Sequence, residues 1–295
     1  IFSYSSFEKS DISLFSPVGN TLPTGSNDLP YFGRSFVITV QELYCIFFKT
    51  VVEWILRGVF FMNKTVLITG ATSGYGLATA KKFKADSDTV IIASRNAEKV
   101  KNVVSQYGFD DGFAIDVTDY EKWVELKKYV TDKYGHIDVL VNNAGCGVKI
   151  ADTVEQTQET IDKTIAVNLN SVIYGSKLFG EVMKEQKDGI IINISSVCAR
   201  HCWAGWSVYA SAKAGVLNFT KGLYIELQPY GVRATCIIPA SASTGFQKNA
   251  GIDEVVQSLS ADDIANAVFY AANQPKGVVV EEMTVWGTAQ EVQPL

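Results

Sequence analysis

The stretch TVLITGATSGYG, from Thr65 to Gly76, decides the fold of this chain of 295 residues. It begins with a short aliphatic and β-branched run that is typical of a buried strand. A glycine-rich turn, Thr69–Gly76, follows and leads into a helical pattern. Glycines let the backbone turn sharply and approach a ligand closely, and the amides at a helix N-terminus attract negative charge. The spacing G-x₃-G-x-G therefore predicts a pyrophosphate site, with a tight structural turn as the alternative. The residues expected at this site are Gly70, Ser73, Gly74, Tyr75 and Gly76.

From Thr65 onward, short Val- and Ile-rich runs alternate with longer amphipathic stretches. This alternation is typical of βα units that feed a parallel sheet buried on both faces. The fold class is therefore predicted to be α/β, a Rossmann-type doubly wound parallel sheet in one domain that follows an N-terminal helical extension. The expected strands are Thr65–Thr69, Thr89–Ser94, Gly112–Asp116, Val139–Asn142, Gly189–Ser195, Val232–Ile238 and Met283–Trp286.

The composition excludes several functions. A hydrophobic content of 47% suits one large core, whereas a net charge of −5 disfavours nucleic acid as a partner. The five cysteines are odd in number and scattered, which favours free thiols in a reducing cytoplasm. Cys198 and Cys202 have a zinc-like spacing, but no second Cys/His pair accompanies them, so we expect no metal.

The first 61 residues differ from the rest, and we expect domain limits of 1–61 and 62–295. Residues 1–33 are rich in Ser, Pro, Gly and Asn, whereas Val40–Phe61 has the pattern of an amphipathic helix. Charges within this helix leave no uninterrupted apolar stretch of ~18 residues, so we expect no transmembrane span. Its apolar face is expected to pack on the core or on a neighbouring subunit. Attachment to a membrane interface and an upstream artefact are the alternatives.

A second motif places Tyr209 and Lys213 four residues apart, on one face of a predicted helix. A phenol with a reference pKa of ~10 is a poor acid–base catalyst at neutral pH, but an adjacent ammonium lowers that pKa. Ser196 lies at the end of a predicted strand, where its hydroxyl can bind the same substrate oxygen. A Tyr/Lys pair alone is usually surface decoration. Its conjunction with Ser196 and the glycine turn indicates a catalytic site.

These motifs together resemble those of the short-chain dehydrogenase/reductase family, over Thr65 to Trp286. The family pattern T-G-x₃-G-x-G matches the glycine turn, its N-N-A-G matches Asn142–Gly145, and its Asp-Val pair matches Asp116-Val117. The resemblance implies a nicotinamide-dependent oxidoreductase that interconverts a ketone and a secondary alcohol.

The resemblance also implies the role of each catalytic residue. Tyr209 would be the acid/base, and Lys213 would contact the nicotinamide ribose and lower the pKa of the tyrosine. Ser196 would orient the substrate, and Asn168 would complete a proton relay.

The dinucleotide contacts follow from the same resemblance. Adenine would meet Asp116 and Val117, and the nicotinamide carboxamide would meet Pro239 and Thr244. The cleft between them would be lined by Asn143, Ala144 and Gly145.

Two residues depart from the family pattern, because Tyr75 replaces an aliphatic residue and Ala240 replaces a glycine. We expect both departures to be tolerated.

The cofactor preference is divided between two indications. The second predicted strand ends at Arg95 without the acidic residue that binds a free ribose 2′-hydroxyl, which favours NADP(H). An exposed arginine stacked beside adenine would also accept NAD(H).

The extension and core together resemble bacterial 20β-hydroxysteroid dehydrogenases, a likeness that implies NAD(H) and a steroid C20 ketone such as cortisol.

The substrate is expected to lie among residues 146–149, 197–206 and 240–248. Trp203 and Trp206 offer flat surfaces for a bulky ligand, or else belong to the core or to a subunit interface.

The competing functions are reduction of a different small or acyl carbonyl and non-catalytic sensing of a dinucleotide. The family resemblance implies a homo-oligomer, often a tetramer.

Overall fold

The computed structural model describes residues 63–147, 151–241 and 259–290. Seven parallel strands form one sheet in the order β3-β2-β1-β4-β5-β6-β7, which confirms the predicted doubly wound α/β fold. The strands are β1 (Thr65–Thr69), β2 (Thr89–Ser94), β3 (Asp111–Ala114), β4 (Val139–Asn142), β5 (Gly189–Ile194), β6 (Val232–Pro239) and β7 (Glu282–Val285). The α-helices of these ranges are α1 (Gly74–Ala85), α2 (Ala97–Tyr107), α3 (Tyr120–Tyr134), α4 (Gln158–Ile165), α5 (Ser171–Gln186), α6 (Ser207–Leu227) and α7 (Ala261–Ala272).

Three predictions lie wholly or partly outside the described residues. They are the N-terminal helix at Val40–Phe61, the nicotinamide contact at Thr244 and parts of the expected substrate segments. Within the described ranges, no helix is both long enough and apolar enough to cross a lipid bilayer.

Alternate residues of β1, β2, β4 and β5 enter two different apolar clusters. On β1, Val66 and Ile68 belong to the first cluster, whereas Leu67 belongs to the second. The first cluster also takes residues of α1, α2 and α7, and the second takes residues of α3, α5 and α6. Since side chains alternate across a strand, both faces of the sheet are buried under helices.

Local sequence signals fix the helix ends on these faces. Asn96 caps α2 by accepting a hydrogen bond from the Lys99 amide, and Gly108 ends that helix with a φ of +66°. Ser260 and Asp263 form a capping box at the start of α7.

The third strand ends earlier than the sequence predicts. The Ile115 amide still donates to the Ser94 carbonyl at 3.0 Å, which continues the contact with β2 by one residue. Asp116 instead turns its side chain onto the amide of Thr118, at 2.9 Å. This local bond competes with the extended conformation, so Asp116 stands at the start of a turn and not in the strand.

Gly175 and Gly222 form a matched pair for testing the packing of α5 and α6. A Cβ on Gly175 would lie 2.5 Å from Oδ1 of Asn142 and 2.6 Å from Cη2 of Trp123, whereas a Cβ on Gly222 would meet nothing within 4 Å. We expect Gly175→Ala to lower the free energy of unfolding by about 1–3 kcal/mol through overpacking. Gly222→Ala should raise it by about 0.5–1 kcal/mol, because alanine favours a helix. Urea unfolding measures both, and a Gly175→Ala protein as stable as the wild type would contradict the packing described here.

Candidate active site

The glycine turn lies in backbone contact with the segment that follows β4. A Cβ on Gly70, which has a φ of +67°, would lie 2.9 Å from Cα of Ala144. A Cβ on Gly76 would lie 2.5 Å from Nδ2 of Asn143. That amide group donates to the carbonyl of Thr69 at 2.8 Å. A side chain at either glycine would push the two segments apart, so both positions require glycine.

The start of α1 fits an anionic group. Ser73 precedes the helix, is exposed, and makes no capping hydrogen bond through its side chain. The first amides of a helix have no intrahelical acceptor, and together with the helix dipole they bind phosphate. Gly74 and Gly76 keep the backbone of this turn free of bulk. The predicted pyrophosphate contacts therefore lie together in a shape that suits that group.

Asp116 is oriented by its neighbours at the end of β3. Its Oδ1 accepts from the amide of Thr118 at 2.9 Å and from the hydroxyl at 2.8 Å. Burial disfavours the charged carboxylate, but these bonds and the charges of Arg95 and Lys163 outweigh it and lower the pKa of Asp116. Arg95 is exposed after β2, and Val117 is buried beside Asp116. The predicted adenine residues are thus brought together next to a positive charge.

Asn168 and Lys213 converge on Gly145. Asn168 is fully buried in a π-helical turn between α4 and α5, where its side chain bonds both the carbonyl of Cys146 (3.2 Å) and its amide (3.3 Å). A Cβ on Gly145 would lie 3.2 Å from Oδ1 of Asn168 and 3.7 Å from Nζ of Lys213. The absence of a side chain at Gly145 leaves room for both polar groups beside the same backbone position.

Tyr209 and Ser196 complete this group. Tyr209 is only 8% exposed, and its side chain is hydrogen-bonded to that of Ser196. Ser196 also accepts from the amide of Cys198 at 3.2 Å. Nζ of Lys213 lies 5.8 Å from the centre of the Tyr209 ring and donates to the carbonyl of Ile194 at 2.9 Å. The four residues predicted to act together therefore meet at the carboxyl ends of β4 and β5.

The sequence predicted that the charge of Lys213 lowers the pKa of Tyr209. In the folded chain alone the pKa of Tyr209 is raised, so this prediction is wrong. Burial is the largest influence on Tyr209 and raises its pKa above the ordinary value, because a charged phenolate is poorly solvated there. Burial also lowers the pKa of Lys213 to about 8. At neutral pH the tyrosine is therefore protonated, and the lysine is still mainly charged.

The remaining predicted residues fall into three places. Pro239 is the last residue of β6 and is buried. The amide of Ala240, which follows it, donates to the carbonyl of Val285 at 2.9 Å. Trp206 packs edge-on against the Tyr209 ring at 5.5 Å, and Trp203 lies 6.0 Å from the ring of His201. Of the three expected substrate segments, residues 148–149 and 242–248 lie outside the described ranges.

The structure adds residues that the sequence analysis missed. The hydroxyl of Thr69 accepts from the amides of Asn143 (3.1 Å) and Ala144 (3.0 Å), and so holds the segment after β4. Lys163 acts electrostatically on Asp116, and Cys146 acts as the backbone partner of Asn168. Thr69 lies in the quoted motif and Cys146 in an expected substrate segment, but neither their contacts nor the effect of Lys163 has a local sequence signal.

A polar groove of about 620 Å³ lies beside the predicted adenine residues. Its lining includes none of the four predicted catalytic side chains, although Thr118 joins it to Asp116. The residues that line it are Thr118, Gln158, Glu159, Asp162, Lys163 and Ala166.

Comparison with known proteins establishes the family. The model of the short chain dehydrogenase family matches residues 64–255, and the chain belongs to this family. A serine 3-dehydrogenase of Agrobacterium fabrum is 33% identical over 232 residues, which cover 75% of this chain and 93% of the relative. The chain is accordingly an NAD(P)-dependent short-chain dehydrogenase/reductase.

Solved structures agree with that conclusion. The closed form of a serine dehydrogenase complexed with NADP⁺ has a TM-score of 0.73 and 26% identity, and the match covers 78% of this chain and 98% of that one. An alcohol dehydrogenase from Thermococcus sibiricus, complexed with 5-hydroxy-NADP, has a TM-score of 0.72 and 26% identity, with coverage of 79% and 100%. The steroid prediction gains no support from these proteins.

The buried lysine should cost stability in a pH-dependent way. Because the pKa of Lys213 is about 8 in the folded chain and 10.5 ordinarily, the unfolded chain binds more protons between these values. Stability therefore rises with pH across this window, and the penalty is fully present below it. We expect Lys213→Met to be more stable than the wild type at pH 7 by about 1–3 kcal/mol, with the gain shrinking toward pH 10.5.

The matched control is Lys128→Met, since the Lys128 side chain is 75% exposed. It should change stability little at any pH. Denaturant unfolding at several pH values measures both variants, and a stability gain for Lys213→Met that does not vary with pH would contradict the assigned cause.

Proposed function

We propose that this protein interconverts an alcohol and a carbonyl compound with NADP(H), using Tyr209 as the acid/base. The observation that carries this proposal is the convergence of Tyr209, Ser196, Lys213 and Asn168 beside Gly145. A hydroxyl that polarises an oxygen, a phenol that exchanges a proton with it and a nearby ammonium together suit reduction of a carbonyl.

Each residue has a distinct task in this mechanism. A dinucleotide held by the glycine turn and by the segment after β4 would supply the hydride that the substrate carbon receives. Ser196 donates a hydrogen bond to the carbonyl oxygen, and Tyr209 delivers its proton to that oxygen as the alcohol forms. The charge of Lys213 stabilises the phenolate that remains. Asn168 holds the Cys146 backbone in place, and the family resemblance gives it a part in the proton relay.

The state of Tyr209 favours reduction at neutral pH. Burial raises its pKa, so the proton needed by the alkoxide oxygen is already present. Alcohol oxidation needs the phenolate as base, so in this mechanism its rate increases as the pH rises.

Arg95 supports NADP(H) as the preferred cofactor. It is exposed at the end of β2, and its charge acts on Asp116 at the adenine side. A guanidinium at this position suits a ribose 2′-phosphate. Two of the similar solved structures contain NADP⁺ or a hydroxylated form of NADP, in agreement with this preference.

Removal of the Arg95 charge tests the preference. We expect Arg95→Gln to raise the Kd for NADPH about ten-fold or more, because a charge-assisted hydrogen bond is lost, and to change NADH binding less than two-fold. Lys99→Gln, at an exposed position on α2, is the control and should alter neither. Isothermal titration calorimetry measures the four affinities. A wild-type protein that binds NADH as tightly as NADPH would contradict the proposed preference.

A small hydroxy acid is the leading substrate. The relative named for serine 3-dehydrogenation supports a substrate with a hydroxyl on the carbon beyond the α-carbon. The two tryptophans of the loop after β5 already have packing partners, since Trp206 packs on Tyr209 and Trp203 packs on His201 and the first apolar cluster. Those faces are thus partly occupied, which favours a compact substrate over the steroid C20 ketone that the sequence suggested.

The decisive experiment follows NADPH formation and consumption with a substrate panel. It contains serine, other 3-hydroxy acids, their oxo forms, simple ketones and cortisol. Tyr209→Phe should lower kcat by about 10²–10⁴-fold, because the proton donor is lost, while the Kd for NADPH stays within two-fold. Tyr270→Phe, at a 55% exposed position, is the control and should retain full activity.

The outcomes separate the competing functions. Turnover of cortisol alone would restore the steroid hypothesis, and turnover of another carbonyl would change only the substrate. NADPH binding without hydride transfer to any member of the panel would favour a dinucleotide sensor. A Tyr209→Phe protein with substantial kcat would contradict the acid/base role.

A further inference from the structure

Tyr75 and Ala240 depart from the family pattern at two sites that are 165 positions apart in the chain, yet they are in contact. We propose that Tyr75 is a positioning residue whose hydroxyl ties the end of β6 to the glycine turn and so fixes the width of the cleft that receives the nicotinamide ring. This inference rests on the proposed binding of a dinucleotide but not on the substrate or on hydride transfer.

The contact itself is a hydrogen bond between the first turn of α1 and the residue that follows β6. The hydroxyl of Tyr75 donates to the carbonyl oxygen of Ala240 at 3.4 Å. The amide of the same residue, Ala240, donates to the carbonyl of Val285 at 2.9 Å. Ala240 is therefore held to β7 through its amide and to α1 through its carbonyl. An aliphatic residue in place of Tyr75 would lack the second of these bonds.

The anchor on the other side is rigid. Tyr75 lies between Gly74 and Gly76, and Gly76 is packed so closely against Asn143 that a Cβ there would be 2.5 Å from its amide nitrogen. The Tyr75 ring is partly buried against the first apolar cluster, together with Trp203 and Trp286. Because both the backbone and the ring of Tyr75 are held in place, the position of its hydroxyl is fixed as well.

Burial also makes Tyr75 a constant donor. Its pKa is raised far above the ordinary value because the phenolate would be desolvated. The phenol therefore keeps its proton at neutral pH, where it can donate to the carbonyl of Ala240.

The position of this bond connects it to the site. Pro239 is the last residue of β6 and Ala240 follows it, and β6 pairs with β5, the strand that leads to Ser196. The Tyr75 phenol is also close enough to Tyr209 to act on its pKa through space. The tie thus lies at the nicotinamide side of the cleft, whereas Asp116 and Arg95 lie at the adenine side.

The test compares Tyr75→Phe, which removes only the hydroxyl, with the control Tyr270→Phe. Two ligands are titrated by calorimetry: NADPH, and adenosine 2′,5′-bisphosphate, which represents the adenine side alone. We expect Tyr75→Phe to weaken NADPH about five-fold, a loss typical of one neutral hydrogen bond, and to leave the bisphosphate within two-fold. Tyr270→Phe should change neither affinity.

Hydrogen exchange of the segment 238–241 provides a readout that needs no ligand. Loss of the tie should speed exchange there several-fold without changing exchange in β1 or β4. Unchanged exchange in this segment, or equal weakening of NADPH and the bisphosphate, would overturn the positioning role. A wild-type chain that binds no dinucleotide would defeat the proposed function, and the exchange experiment would still decide whether Tyr75 holds Ala240.

Discussion

The contact between the glycine turn and the segment after β4 is the constraint on which the rest of the site depends. Gly76 and Asn143 approach so closely that no side chain fits between them, and the Asn143 side chain bonds the carbonyl of Thr69. This contact joins β1 to β4, the two strands between which the winding of the chain changes direction. Ligands of doubly wound sheets bind in the crevice at this point. The contact that packs the glycine turn against the segment after β4 therefore also borders the crevice in which a ligand would bind.

Burial of polar groups at the cleft opposes stability and serves chemistry. Lys213 is 4% exposed and Asn168 is fully buried, and each is retained by bonds to backbone carbonyls. A charged lysine in such surroundings costs free energy, which the large apolar clusters on both sheet faces offset. An apolar residue in its place would pack more favourably but would remove the charge beside Tyr209. The arrangement is thus a compromise between folding and function.

Much of the fold could be predicted because its signals are local. Strand periodicity, the glycine turn and the spacing of Tyr209 and Lys213 all act within a few residues, and the seven strands lie within two residues of their expected limits. The end of β3 was predicted too late in the chain, because the side chain of Asp116 bonds the amide of Thr118 and so competes with the extended conformation of a strand. Lys163 and the Tyr75 contact to Ala240 escaped notice, because they depend on segments that meet only in the folded chain. The net pKa of Tyr209 was wrongly predicted for the same reason: sequence spacing shows the lysine but not the burial.

That error has a consequence for the chemistry of the site. The chain alone leaves Tyr209 protonated, because burial disfavours the charged phenolate, so the resting site carries the proton that carbonyl reduction needs. Oxidation requires the phenolate, which additional positive charge nearby would favour. An oxidised nicotinamide ring carries such a charge and a reduced ring does not. In the proposed mechanism a bound oxidised cofactor would therefore favour the phenolate of Tyr209, whereas a bound reduced cofactor would leave the phenol protonated. A single buried phenol can then serve both directions of the reaction without a second catalytic residue.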